Sequence, residues 1–218
     1  MTETREPADP GPSAETDDEY VRRYFAADAV TYDQRERWRR RMRTLLLDLA
    51  AVQPGEAVLD VCTGTGAVAF ALAERGAQVT GIDLSLDMLQ RAQGRADQRV
   101  RFLAGDASHL PFPDGAFAVS TLSMALHCMP AELRPRVLAE MARVSRRRVA
   151  LMEPNTPAGT AGRWLLANLG RWQHSPKYWP DFVSHDLTML VSGAGLELER
   201  RQVFNLGIHQ VVACRPRH

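Results

Sequence analysis

One stretch limits the folds open to this chain: residues 58–69, Val-Leu-Asp-Val-Cys-Thr-Gly-Thr-Gly-Ala-Val-Ala. An apolar run stops on Asp60, a Gly64-Thr65-Gly66 turn follows, and an Ala-rich helical pattern begins at once. That order reads as strand, glycine loop, helix. Glycine at 64 and 66 lets the backbone turn sharply and approach a ligand with no Cβ in the way. The first amides of the following helix then face the crevice at the strand's carboxyl end. Gly64, Gly66 and Ala69 also satisfy the dinucleotide pattern G-x-G-x-x-G/A, so the stretch alone leaves an NAD-dependent oxidoreductase open.

The remaining chain repeats the alternation. A second strand, Gln78 to Ile82, ends on Asp83. Ser85 is placed to cap a helix whose core face is Met88, Leu89 and Ala92. A third strand, Val100 to Ala104, leads into Gly105-Asp106-Ala107, and a Pro-rich loop with an Asp114-Gly115 turn leads to a fourth, Phe117 to Ser123. A helix over about 131–144 precedes a fifth strand, Val149 to Glu153, stopped by Pro154. Two final β-type runs, Leu196 to Phe204 and Ile208 to Cys214, are joined by Asn205-Leu206-Gly207, the length of an antiparallel hairpin turn. The pattern predicts an α/β fold: a doubly wound, mostly parallel seven-stranded sheet closed by an antiparallel hairpin.

Composition bounds the rest. At 218 residues and 45% hydrophobic, the chain suits one substantial core and is too short for two ordinary domains. A net charge of +1 gives no field for nucleic acid or an anionic membrane. No apolar run is long enough to span a bilayer. Cys62, Cys128 and Cys214 are too scattered for a disulfide framework or a zinc site, and no histidine pair has metal-ligand spacing. The expectation is a cytoplasmic protein with no metal. Its partner is a small molecule, and a homodimer is left open.

Residues 1–18, rich in Pro, Asp, Glu, Ser and Thr, are expected to be a disordered tail, and 19–218 one domain. Its N-terminal part, 19–53, reads as a helical cap. Tyr20, Tyr24, Phe25 and Tyr32 cluster there, and Trp38, Met42, Leu45, Leu46 and Leu49 form one stripe. The six arginines between Arg35 and Arg43 fall on the opposite face, where solvation is the default reading. Residues 155–183 are longer than a usual connection and carry Trp164, Trp172, Tyr178 and Trp179. They read as a lid or pocket for a greasy acceptor, with ordinary core as the alternative. Ser184 is the expected cap of the helix that follows.

Asp60, Asp83 and Asp106 end three successive strands, which in such a sheet line one crevice. An acid after the second strand suits a ribose diol, and Asp106 can accept from an exocyclic adenine amine. Asp60 crowds a pyrophosphate but suits an ammonium or sulfonium. The charge pattern therefore favours a zwitterionic, adenosine-bearing cofactor over NAD.

These residues carry a resemblance. Leu59-Asp60-Val61-Cys62-Thr63-Gly64-Thr65-Gly66, then Gly81-Ile82-Asp83, then Gly105-Asp106-Ala107 looks like the class I S-adenosylmethionine-dependent methyltransferases. Leu110-Pro111-Phe112-Pro113-Asp114-Gly115-Ala116-Phe117 resembles their small-molecule branch. Tyr32-Asp33, Arg37-Trp38 and Ser120-Thr121-Leu122-Ser123 are similar to the ubiquinone/menaquinone-biosynthesis C-methyltransferases. The resemblance implies S-adenosyl-L-methionine as cofactor and S-adenosyl-L-homocysteine as product. It makes Thr65, Asp83, Asp106, Ala107 and Ser123 cofactor contacts, with Cys62, Gly64, Gly66 and Leu84 beside them. Two departures stand out: Cys62 where that family has glycine, and His127-Cys128 where it carries Arg-Asn.

Methyl transfer from a sulfonium is an in-line displacement, in which positioning alone contributes about 7–11 kcal/mol. A general base is needed only where the acceptor must lose a proton. His127, just after the fourth strand, is the first candidate, with packing or capping as its alternative. His109 follows it. Tyr24 and Tyr32 are candidates to cover the sulfonium. Tyr178, Trp179 and Trp164, with Tyr24 and His127, are the candidate acceptor contacts. The expected activity is methylation of a small, largely apolar or aromatic acceptor at carbon, oxygen or nitrogen. A non-catalytic adenosylmethionine-binding protein and a protein or nucleic-acid methyltransferase remain alternatives.

Overall fold

The computed structural model describes residues 36–95, 97–155 and 177–217, together with Thr16, Glu19 and Arg23. The amphipathic stripe becomes helix α1, Glu36–Ala50, with Met42, Leu46, Leu47 and Leu49 buried. Then come β1 (Ala57–Val61), α2 (Ala67–Glu74), β2 (Gln78–Asp83), α3 (Leu86–Gln93), β3 (Val100–Ala104) and β4 (Phe117–Ser123). They are followed by α4 (Leu133–Val144), β5 (Ser145–Pro154), α5 (Trp179–Phe182), α6 (Leu187–Gly193), β6 (Leu196–Phe204) and β7 (His209–Pro216).

All seven strands form one sheet in the order β3-β2-β1-β4-β5-β7-β6. The first five run parallel, and β7 enters antiparallel between β5 and β6. The chain therefore winds outward from β1 to β3, then returns to β4 on the other side. That reversal between β1 and β4 is where such sheets open a ligand crevice. One core layer joins the sheet to α4, α5 and α6 through Leu59, Leu122, Leu138, Met141, Phe182 and Val191. The opposite layer joins it to α1 and α2 through Met42, Leu46, Val58, Leu72, Val119 and Ala213. The central strands β1 and β4 are buried along almost their whole length because both faces are covered.

The loop before β4 is held by α4. Glu140 accepts from the Leu110 amide (2.8 Å), while the Arg143 guanidinium donates to the carbonyls of Phe112 (2.7 Å) and Leu110 (3.0 Å). Among the described residues no helix is long and apolar enough to cross a membrane, and no group of three acids, histidines and cysteines is placed to hold a metal.

Several details differ from the sequence reading. Strand β5 begins four residues early, at Ser145, whose buried hydroxyl donates to Ser120 (2.7 Å). The arginines that disguised this part as a loop find partners at the strand's margin: Arg147 on Glu56 and Arg148 on Glu199. Ser184 does not cap the next helix. Its hydroxyl donates to the Asp181 carbonyl (2.6 Å), closing the short α5, and Asp186 caps α6 by accepting from the Thr188 amide (3.0 Å). Helix α1 lies on the sheet face of β5 and β7 and contributes nothing to the crevice lining described below. Residues 1–15 of the expected tail, and Tyr20, Tyr24, Phe25, Tyr32, Trp164 and Trp172, lie outside the described residues.

Gly66 starts α2 with φ of 79°. A Cβ there would come within 2.8 Å of Phe102 and 2.9 Å of Phe70. Gly66→Ala should therefore lose about 1–3 kcal/mol of stability, the usual cost of overpacking, plus the left-handed penalty. A thermal melt indistinguishable from wild type would contradict this packing.

Candidate functional site

At the carboxyl end of β1 the chain is pinned by a buried acid. Asp60 is 1% exposed. Its two oxygens accept from the hydroxyls of Thr63 (2.6 Å) and Thr121 (2.7 Å), tying the glycine loop to β4. Burial raises its pKa to about 6, the two threonine bonds acting against that rise and Asp83 adding to it. Cys62 follows with φ of 54°, a left-handed conformation uncommon for a side chain with Cβ. Burial pushes its thiol well above the ordinary range, and the Asp83 and Asp60 charges push the same way.

Asp83, at the end of β2, reaches across to the same loop. It accepts from the Gly64 amide (2.7 Å) and the Ser85 amide (2.9 Å). Burial raises its pKa against these amide bonds. Asp106, beyond β3, is more open. Burial alone would raise its pKa, but bonds from the Ser108 amide (2.8 Å), the Ser108 hydroxyl (2.8 Å) and His109 (3.2 Å) hold it below the ordinary value.

A fourth strand-end acid completes the set. Glu153, near the end of β5 and fully buried, accepts from the amides of Ala125 and Leu126 and from His127 Nδ1, each at 2.8 Å. These groups belong to the short 3₁₀ turn Leu126–Cys128 that follows β4. Burial opposes the charged imidazole of His127. Its neighbours Cys128 and Glu153, each of which also hydrogen-bonds it, outweigh that and raise its pKa to about 10. The rings of Trp179 and Phe182 meet His127 edge-on at centroid distances of 5.7 and 6.0 Å.

Arg134, from α4, frames the same turn. It is 1% exposed. Its guanidinium donates to the carbonyls of Leu126 (3.1 Å) and Met129 (2.9 Å), to that of Tyr178 (3.4 Å), and to Asp181 (2.5 Å). The start of α5 is thereby fastened to the turn after β4.

Above these ends lies a crevice of about 890 Å³, counting the space open to solvent. From the ends of β1, β2 and β3 it is lined by Cys62, Gly64, Asp83, Leu84, Asp106 and Ala107. From the end of β4 and beyond it is lined by Ser123, Met124, Ala125, Cys128 and Met129, then Pro130, Leu133 and Val137. A Cβ on Gly64 would meet nothing within 4 Å, so a side chain there would project into open space at the crevice.

Seven residues singled out from the sequence thus meet on one surface: Cys62, Gly64, Asp83, Leu84, Asp106, Ala107 and Ser123. Asp60, Thr65, Gly66 and His127 are not on the lining. All four are buried beside it, with Asp60 bonded to Thr63 and Thr121 and His127 turned to Glu153. Tyr178 and Trp179 are half-buried at α5 and also off the lining, with Trp179 packed against the core.

Glu153 and Arg134 escaped the sequence reading. Glu153 carried a usable signal, since it ends a parallel strand as Asp60, Asp83 and Asp106 do. Arg134 carried none, because a single arginine in an amphipathic helix reads as surface. The apolar wall of Met124, Met129, Leu133 and Val137 was equally silent.

A family model described as a methyltransferase domain matches residues 58–148. The chain is 41% identical over 205 residues to the demethylmenaquinone methyltransferase of Thermus thermophilus, covering 83% of this chain and 90% of that one. It is 38% identical over 119 residues to the Renibacterium salmoninarum protein of the same name, covering 55% of this chain and 47% of that one. The chain therefore spans about half the length of some curated relatives it matches. In fold it is similar to magnesium protoporphyrin IX methyltransferase from Synechocystis, solved with bound S-adenosylhomocysteine, with a TM-score of 0.66 and 21% identity over 92% of this chain and 100% of that one. With a relative at this identity matched over nine-tenths of its length, the chain belongs to the class I S-adenosylmethionine-dependent methyltransferases of the quinone-biosynthesis type.

Proposed function

We propose that this protein transfers a methyl group from S-adenosylmethionine to a ring carbon of a small, flat, electron-rich aromatic acceptor of the quinol type. The observation that carries this reading is the character of the wall beyond β4. Met124, Ala125, Met129, Pro130, Leu133 and Val137 present an apolar surface that continues directly from the acid-bearing half of the crevice. Such a surface suits a greasy ring. Among the described residues the only titratable group on that wall is the Cys128 thiol. A hydroquinone carbon is made nucleophilic by its ring oxygens, and the ring proton it carries would leave to solvent once the methyl is attached. The names of the relatives point the same way.

The donor half fits the cofactor. Asp83 offers remaining lone pairs to a ribose diol, and Asp106 offers them to an adenine amine. Gly64 leaves room for close approach. Asp60 and Asp83 are carboxylates that burial makes reluctant to ionise, and a bound cation relieves both. Bound here, the cofactor supplies a methyl already activated on a cationic sulfur. The protein's own task is then to orient that methyl toward the ring and keep water out. We assign Glu153 to that task as a positioning residue, since it fixes the amides of the wall. His127 is charged at neutral pH and turned to Glu153, so it serves as a partner of the wall rather than as a base.

Incubating the protein with methyl-labelled cofactor and a panel of naphthoquinol, catechol and amine acceptors should label a ring carbon of the naphthoquinol. Label found on oxygen or nitrogen, or on polar acceptors alone, would overturn the reading.

Asp83→Ala should weaken adenosylhomocysteine binding by about 1.5–3 kcal/mol, the scale of bonds to a charged group. Circular dichroism should stay native, and unchanged affinity in a calorimetric titration would remove Asp83 from the site. A third expectation concerns pH. The folded pKa of His127, about 10, lies above the ordinary imidazole value of 6.5. Its contribution to stability is then fully present below about pH 6.5 and lost as pH rises through about 10. The gap in Tm between wild type and His127→Gln should narrow over that range. A gap that widens toward alkaline pH would contradict the charged pair.

A further inference from the structure

Arg134 is fully buried and lies off the crevice lining, although Leu133 beside it in α4 is part of that lining. Burying a guanidinium is costly unless its donors are met. Here each of its nitrogens finds an oxygen. Nε donates to the carbonyls of Leu126 and Met129, both at 3.1 Å. Nη2 donates to those of Met129 (2.9 Å) and Tyr178 (3.4 Å), and Nη1 to the Asp181 carboxylate. The cation also stands 5.3 Å from the centre of the Phe182 ring. Phe182 meets the His127 ring edge-on, and its amide donates to the same Tyr178 carbonyl. The contacts close a circuit, from α4 to the turn 126–129, across His127 and Phe182 to α5, and back through Asp181. All these partners of Arg134 belong to that turn or to 178–182, not to the glycine loop or the ends of β2 and β3.

We propose that Arg134 is a positioning residue for methyl transfer, one that sets the acceptor wall and leaves the cofactor half untouched. It acts through the turn. Its hold on the carbonyls of Leu126 and Met129 brackets Cys128, and both Cys128 and Met129 line the crevice. A wall displaced by about 1 Å misaligns the acceptor with the donor methyl, at a cost on the order of 10²-fold in rate. Lysine cannot take this place, because one ammonium on a flexible stem cannot span several backbone carbonyls and a carboxylate together. The role rests on the reading above that the acceptor lies against this wall.

The test compares wild type, Arg134→Lys, Asp181→Asn and the double variant, with a naphthoquinol and methyl-labelled cofactor. Arg134→Lys should lower kcat by about tenfold or more. Its adenosylhomocysteine affinity, from calorimetric titration, should stay within about twofold of wild type, as for sites that share no partner. Asp181→Asn should lower kcat by less, and the double variant should be no slower than Arg134→Lys, since both break one circuit. A second measurement needs no acceptor. Cys128 is 5% exposed inside the bracketed turn, whereas Cys62 belongs to the donor half. The ratio of N-ethylmaleimide labelling at Cys128 to that at Cys62, mapped by mass spectrometry on native protein, should rise about tenfold in Arg134→Lys as the turn loosens. A wild type that leaves the naphthoquinol unmethylated would sink the acceptor reading, and the labelling ratio then decides whether Arg134 holds the wall. Cofactor affinity falling in step with kcat, a double variant slowed by the product of the single effects, or an unmoved labelling ratio would overturn the proposal. Should Arg134→Lys fail to fold, Asp181→Asn, at the partly exposed end of the circuit, must show the same split between turnover and cofactor affinity.

Discussion

The bond from the Gly64 amide to the Asp83 carboxylate is the contact on which the crevice depends. It spans 2.7 Å and joins the loop after β1 to the end of β2. Asp60, one turn earlier, ties the same loop to β4 through Thr63 and Thr121. Three strand ends are thus locked around the five-residue loop 62–66, and the loop's left-handed stations at Cys62, Gly64 and Gly66 are held from outside. The cost is electrostatic. Burial raises the pKa of both acids, and the Asp83 charge pushes that of Asp60 further in the same direction. A crevice floor built this way favours a ligand carrying positive charge.

The other half of the crevice is assembled on different physics. Its wall is apolar and carries no charge of its own, so its shape must be set from behind. Glu153 does this from β5 by taking two wall amides and the His127 ring. Arg134 does it from α4 by donating to the carbonyls of the same turn while meeting Asp181 of α5. Removing one partner of the buried His127–Glu153 pair leaves an uncompensated charge, typically at a cost of about 3–5 kcal/mol. The wall and the segment returning at Tyr178 are therefore coupled, although they lie 44 or more residues apart in sequence.

Much of this was legible in the chain. The seven strands, the mostly parallel sheet and the hairpin follow from alternation, apolar runs and turn residues, because those signals are local, whereas the strand order was read only from the structure. The meeting of Asp83, Asp106 and Gly64 on one crevice was legible too, since they stand where a parallel sheet must deliver them. The misreadings have local causes as well. Ser184 and Asp186 are both competent caps two residues apart, and only the hydrogen bond to Thr188 distinguishes them. The arginines of early β5 hid a strand whose edges happen to meet acids on neighbouring elements.

By itself the sequence determined the sheet, the glycine loop and the acids at its strand ends, because periodicity and strand polarity decide where such residues fall. Only the tertiary structure decided what each acid does. Asp60 turned out to be bonded to two threonines, Asp83 to the loop, and Glu153 to a histidine that the sequence offered as a candidate base. The direction of a side chain depends on partners brought together from distant segments, and nothing in local pattern encodes that. The apolar wall beyond β4 is the clearest case, for a methionine on a crevice and a methionine in a core are the same letter until the chain has folded.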